Sequence, residues 1–187
     1  MILLLSTAAS LSAGEVIIYG GSQKPGKISW DYAKDVVGVI GDIKGDFGGT
    51  FGVRYSAGRV IGFEQSIGYS PRFAKPGVKA FQTDSNLVIQ APGKIVPYAT
   101  VGIGVVRTWG NDVSLSDMVE SHDAGKIASA AFSYGSSFAV NYGGGIKVRR
   151  ICGPLGFGID VRGYKLPSFR DESLNFIQTT AGLVIKW

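Results

Sequence analysis

Leu155-Gly156-Phe157-Gly158-Ile159-Asp160-Val161-Arg162 is the stretch on which the fold turns. Every second residue is large and apolar, and the residues between them are glycine or charged. Extended chain sends successive side chains to opposite faces, so Leu155, Phe157, Ile159 and Val161 share one face and Gly156, Gly158, Asp160 and Arg162 the other. A helix would scatter the same residues around its axis and would carry two interior glycines, each costing about 1 kcal/mol relative to alanine. The stretch reads as a strand.

The same period runs through the rest of the chain. Ile61, Phe63, Ile67 and Tyr69 oppose Glu64, Ser66, Gly68 and Ser70, with Gln65 interrupting the apolar row. Phe138, Val140, Tyr142, Ile146 and Val148 oppose Asn141, Gly143, Gly145 and Lys147, and Phe51, Val53 and Tyr55 oppose Thr50, Gly52 and Arg54. Strands are expected near 15–22, 47–55, 60–70, 81–90, 95–108, 136–148, 155–166 and 174–187. Turn residues such as Ala57-Gly58 and Pro92-Gly93 mark hairpins between them. Short gaps alternate with long ones (23–46, 71–80, 109–135, 167–173) along the chain. In an up-and-down barrel successive connections fall at opposite ends, so one end is trimmed and the other elaborated. Transmembrane barrels show this asymmetry.

Alternation fits any half-buried sheet; the character of the polar rows is more informative. A solvated outer face usually carries long charged side chains that discourage association. Here the polar rows hold mainly glycine and serine with a few charges of both signs. That composition suits the inside of a narrow barrel, with the apolar rows turned to lipid. Buried charges persist only when paired and hydrogen-bonded, so Arg54, Glu64, Lys147, Asp160, Arg162 and Lys186 are expected to form an internal network. Aromatic residues near strand ends (Tyr55, Tyr69, Trp109, Tyr164, Phe169 and Trp187) are expected to form interfacial girdles.

Composition agrees. The 187 residues suit one domain, are 45% hydrophobic and include 28 glycines, yet no run approaches the roughly 20 apolar residues of a membrane-spanning helix. The net charge of +5 is scattered and makes no nucleic-acid stripe. Cys152 has no second cysteine to bridge. The apolar run 2–5 followed by small residues reads as a targeting segment over 1–14, leaving 15–187 as the barrel domain.

Thr180, Gly182, Ile185 and Trp187 occupy the roles of the C-terminal assembly signal of outer-membrane barrels, with Trp in place of the commoner Phe. With the strings at 51–55, 62–71, 97–104 and 142–148, they make the chain resemble OmpX/OmpA-like and opacity-type barrels. That resemblance implies an all-β, eight-stranded antiparallel up-and-down transmembrane barrel in the cell outer membrane of a Gram-negative envelope. It implies contact with outer-membrane lipid and lipopolysaccharide, handling by the barrel-assembly machinery, and a monomer.

The expected role is structural or surface-interactive (adhesion-like), with no open diffusion pore, no cofactor and no catalysis. Two alternatives stand beside it: a lipid-modifying outer-membrane enzyme, and a soluble secreted barrel binding a small hydrophobic ligand. The lone histidine, His122 in Ser121-His122-Asp123, has no converging partners for a triad. Asp112, Asp117 and Asp123 lack calcium-loop spacing. Neither Gly48-Gly49 nor Gly143-Gly144-Gly145 is followed by the Lys-Ser/Thr of a phosphate loop. The 109–135 loop is the expected seat of biological specificity.

Overall fold

A computed structural model describes residues 14–28, 43–110, 135–169 and 172–187. The expected targeting segment over 1–13, His122 and its neighbours, and Asp112, Asp117 and Asp123 lie outside them. The barrel strands are β1 (Gly14–Pro25), β4 (Gly48–Gly58), β5 (Ile61–Ser70), β6 (Lys79–Gln90), β7 (Ile95–Trp109), β8 (Gly135–Cys152), β9 (Leu155–Phe169) and β10 (Glu172–Lys186). A two-residue ribbon, β2 (Lys27–Ile28) with β3 (Ile43–Lys44), lies between β1 and β4.

Each barrel strand pairs antiparallel with its neighbours. The sheet closes where β1 meets β10, from Glu15 opposite Lys186 to Pro25 opposite Phe176. The expected eight strands are all present; most run past one or both of their sequence bounds, whereas β5 begins one residue later than expected. β8 continues through Arg149–Cys152, read from sequence as turn, because a bulge with Arg150 in the left-handed region (φ 54°) carries the strand past Val148. Gly153, at φ 59°, then turns the chain within two residues into β9, a geometry that strains any side chain bearing a Cβ.

The alternation has the inverted sense. Phe157 and Ile159 are 49% and 53% exposed on the outer wall, whereas Asp160 and Arg162 are 3% and 0% exposed inside. Glycine makes room in the narrow interior. The Tyr19 side chain lies along the inner wall over the neighbouring β4 and on to β5, where a Cβ on Gly52 or Gly68 would stand 2.6 or 2.7 Å from its hydroxyl. Gln65, the break in the apolar outer row, is satisfied on the wall itself. Its amide donates to Thr83 at 3.2 Å and its carbonyl accepts from Ser85 at 2.7 Å, so its polar groups find partners on the otherwise apolar wall.

Candidate functional site

The interior is stacked in layers. Nearest the short turns, Glu15 from β1 accepts an ion pair from Lys147 and, at 2.7 Å, from Arg149 Nε, both on β8. Gln90 bridges the two cations, its Oε1 lying 3.2 Å from Lys147 Nζ and 2.9 Å from Arg149 Nη2. Lys147 also sits 4.5 Å above the Tyr98 ring, a cation–π contact.

The middle layer joins six strands. Asp160 Oδ1 lies 2.8 Å from Arg162 Nε and 3.1 Å from Arg54 Nη2, and the Tyr98 hydroxyl donates to Oδ2 at 2.5 Å. Arg162 Nη1 reaches Glu64 at 2.7 Å. Arg54 donates to Thr180 Oγ1 at 3.1 Å, and its guanidinium lies 4.3 Å over the Tyr19 ring. Two guanidiniums thus balance two carboxylates, the condition under which buried charge is tolerated.

Above them Asp84 is held by neutral donors: Gln82 at 2.8 Å, Ser66 at 2.9 Å and Tyr164 at 3.2 Å. The loop end of the lumen is apolar. Phe73, Ala74 and Val78, from the 71–78 connection, fold inward onto Leu166, Phe169, Leu174 and Phe176. Phe73 meets Phe176 edge-on at 5.5 Å, and Tyr164 stacks on Phe176 at 4.5 Å. An Asp46–Lys75 ion pair at 3.2 Å ties the connection down from outside. Charged layers below and this apolar cluster above both project into the lumen.

The charge network expected from sequence is therefore divided in two. Arg54, Glu64, Asp160 and Arg162 come together in the middle layer, while Lys147 belongs to the lower one. Lys186 lies half-buried at the strand end and has no ion pair among the described residues. Glu15 and Arg149 join the network unsignalled by sequence, because one begins a strand and the other falls in a segment whose residues read as turn. Alternation alone would have placed Asp84 inside.

Two girdle assignments are corrected. Tyr164 is buried because it shares the inward parity of Asp160 and Arg162, and Phe169 is buried because the alternation breaks after Pro167 and turns it into the lumen. Trp109 and Trp187 are exposed, and Tyr55 and Tyr69 lie half-exposed on the outer wall. Of the C-terminal residues, Thr180 and Gly182 face inward, whereas Ile185 and Trp187 face outward.

The fold and its lumen define a small closed antiparallel barrel, apolar outside and charged within. Solved structures with the same architecture include Neisserial surface protein A (TM-score 0.64, 10% identity, covering 93% of this chain and 97% of that one). The N-terminal barrel domain of OprF from Pseudomonas aeruginosa matches with a TM-score of 0.54 and 10% identity, over 93% and 98% of the two chains. The outer membrane protein OprG from the same organism matches with a TM-score of 0.52 and 12% identity, over 94% and 97%. No protein-family model matches the sequence, and no curated protein does. At such identities the likeness is one of fold.

Proposed function

We propose that the chain is an integral outer-membrane barrel with a structural or surface-interaction role, without enzymatic activity and without an open diffusion pore. The observation that carries this reading is the sidedness of the wall: bulky apolar residues point away from the axis, while Glu15, Glu64, Asp84 and Asp160 point toward it. In water that arrangement would expose a continuous hydrophobic belt far larger than soluble monomers tolerate; in lipid it is the stable one. A soluble ligand-binding barrel needs the reverse. The likeness to OprG and to a Neisserial surface protein supports placement in an outer membrane.

The stopper around Phe73 and the ion layers beneath it support the absence of a pore, since eight strands enclose only enough room for side chains. Biological specificity then resides in the long connections at the loop end, and lipid with its lipopolysaccharide is the surrounding partner. The test is gel migration of the membrane fraction before and after boiling. A folded barrel resists detergent and shifts on heating; recovery of the protein in the soluble periplasmic fraction without detergent overturns the reading.

A further inference from the structure

The outer wall is not uniformly convex. Across β1, β10, β9 and β8 it is recessed into a shallow apolar groove of about 560 Å³, where Gly20, Ala181 and Gly144 form the floor and Ile146, Ile159 and Val161 the walls. The register aligns Gly20 with Ala181 and Ala181 with Ile159. One row nearer the loop end, Ser22, Thr179, Val161 and Gly144 follow. Two residues farther along β1 stands outward-facing Lys24, 4.9 Å over the Phe47 ring, and on β9 outward-facing Lys165 lies opposite Asn175. Strand spacing and rise put the two lysine Cα atoms about 12 Å apart, a gap their side chains can close around one headgroup.

Charge on the wall is sorted by sign. Among the described side chains, the outward charges on the loop-end halves of the strands are cations only (Lys24, Lys79, Arg107 and Lys165), while Glu15, Glu64, Asp84 and Asp160 all point inward. Neither Lys24 nor Lys165 has a carboxylate partner among the described residues. An apolar trough open to hydrocarbon, with two outward-facing cations at its interfacial lip, is complementary to an acyl chain that ends in an anionic headgroup.

We infer that this face is a binding site for a phosphorylated lipid of the outer leaflet, one acyl chain lying in the Gly20–Ala181–Gly144 trough and the headgroup phosphate between Lys24 and Lys165. The inference rests on the membrane reading above. The partner is a lipid rather than a second copy of the chain because the lip carries like charges that would repel across a two-fold interface.

The probe is diphosphoryl lipid A, compared with its dephosphorylated form, added to the full chain in mild detergent and scored by native mass spectrometry. Wild type is expected to retain the phosphorylated form preferentially. Lys24→Gln and Lys165→Gln should each weaken retention on the order of fivefold, and the double variant should bind both forms alike. Gly20→Leu fills the trough from a position where an added Cβ meets nothing nearer than 3.9 Å, and should weaken both forms. Boiling-dependent gel migration confirms that each variant is folded. Folded variants that retain the phosphorylated lipid as wild type does overturn the site and leave the membrane reading standing. A crosslinked dimer abolished by Gly20→Leu overturns it in favour of self-association. A wild-type chain that never gives a heat-modifiable membrane band overturns the membrane reading, and this inference with it.

Discussion

Replacing Asp160 by asparagine keeps the shape of the central layer and removes one of its charges. Arg162 Nε and Arg54 Nη2 lose the carboxylate oxygen they share at 2.8 and 3.1 Å, and two guanidiniums are left facing Glu64 alone. Removing one partner of a buried ion pair costs about 3–5 kcal/mol, because the stranded charge keeps its desolvation penalty. Asparagine still offers one carbonyl to accept from Tyr98 or an arginine, so the lower end applies: about 3 kcal/mol, or roughly two powers of ten in the folding equilibrium. The assay is urea unfolding and refolding in lipid vesicles, followed by the unboiled gel band and tryptophan fluorescence. Arg54→Met in the same chain removes the surplus cation and should recover part of the loss, so the two substitutions are non-additive. An Asp160→Asn barrel as stable as wild type, or strict additivity with Arg54→Met, would refute the balanced-layer argument.

Other outcomes follow from the same geometry. Ile159→Arg on the outer wall should cost about 2–4 kcal/mol in a bilayer and much less in micelles; equal tolerance in the two would contradict a lipid-facing wall. Gly68→Ala sets a Cβ 2.7 Å from the Tyr19 hydroxyl and should cost about 1–3 kcal/mol, partly relieved by Tyr19→Phe, as denaturant midpoints would record. Phe73→Ala should cost about 3–5 kcal/mol and speed proteolysis of the 71–78 connection. It should leave planar bilayers silent, because the ion layers beneath still fill the lumen; a steady current would contradict the layered occlusion. Cys152 is exposed at the short-turn end, so an impermeant maleimide should label it only after the outer membrane is breached, whereas Arg72→Cys at the loop end should label in intact cells.

Residue parity carried most of the fold. A one-residue shift in any strand exchanges wall for lumen, so Leu155–Arg162 alone determines that Asp160 and Arg162 share a side and that Tyr164 joins them. Grouping Tyr164 with the interfacial aromatics followed its place near a strand end and ignored that parity. Which charges meet is a matter of register between strands distant in sequence, and alternation within a strand is silent about register. Hence Lys147 was separated from Glu15, its partner across the barrel. The apolar stopper was hidden because Phe73, Ala74 and Val78 are interspersed with Arg72, Lys75, Pro76 and Gly77, which read together as an exposed turn. Only the strand-like mix of apolar residues within that connection hinted otherwise. The groove in the wall needed four strands at once, since no single segment shows that Gly20, Ala181 and Gly144 are neighbours.

On the membrane reading proposed above, the pairing of β1 with β10 governs how the barrel enters a bilayer. Before those two strands meet, each presents a ladder of unanswered amides and carbonyls, which hydrocarbon cannot satisfy. A half-zipped sheet is therefore unstable inside the bilayer core, and entry must be concerted with annealing of this last junction. On that reading both open borders need shelter until the ring is sealed.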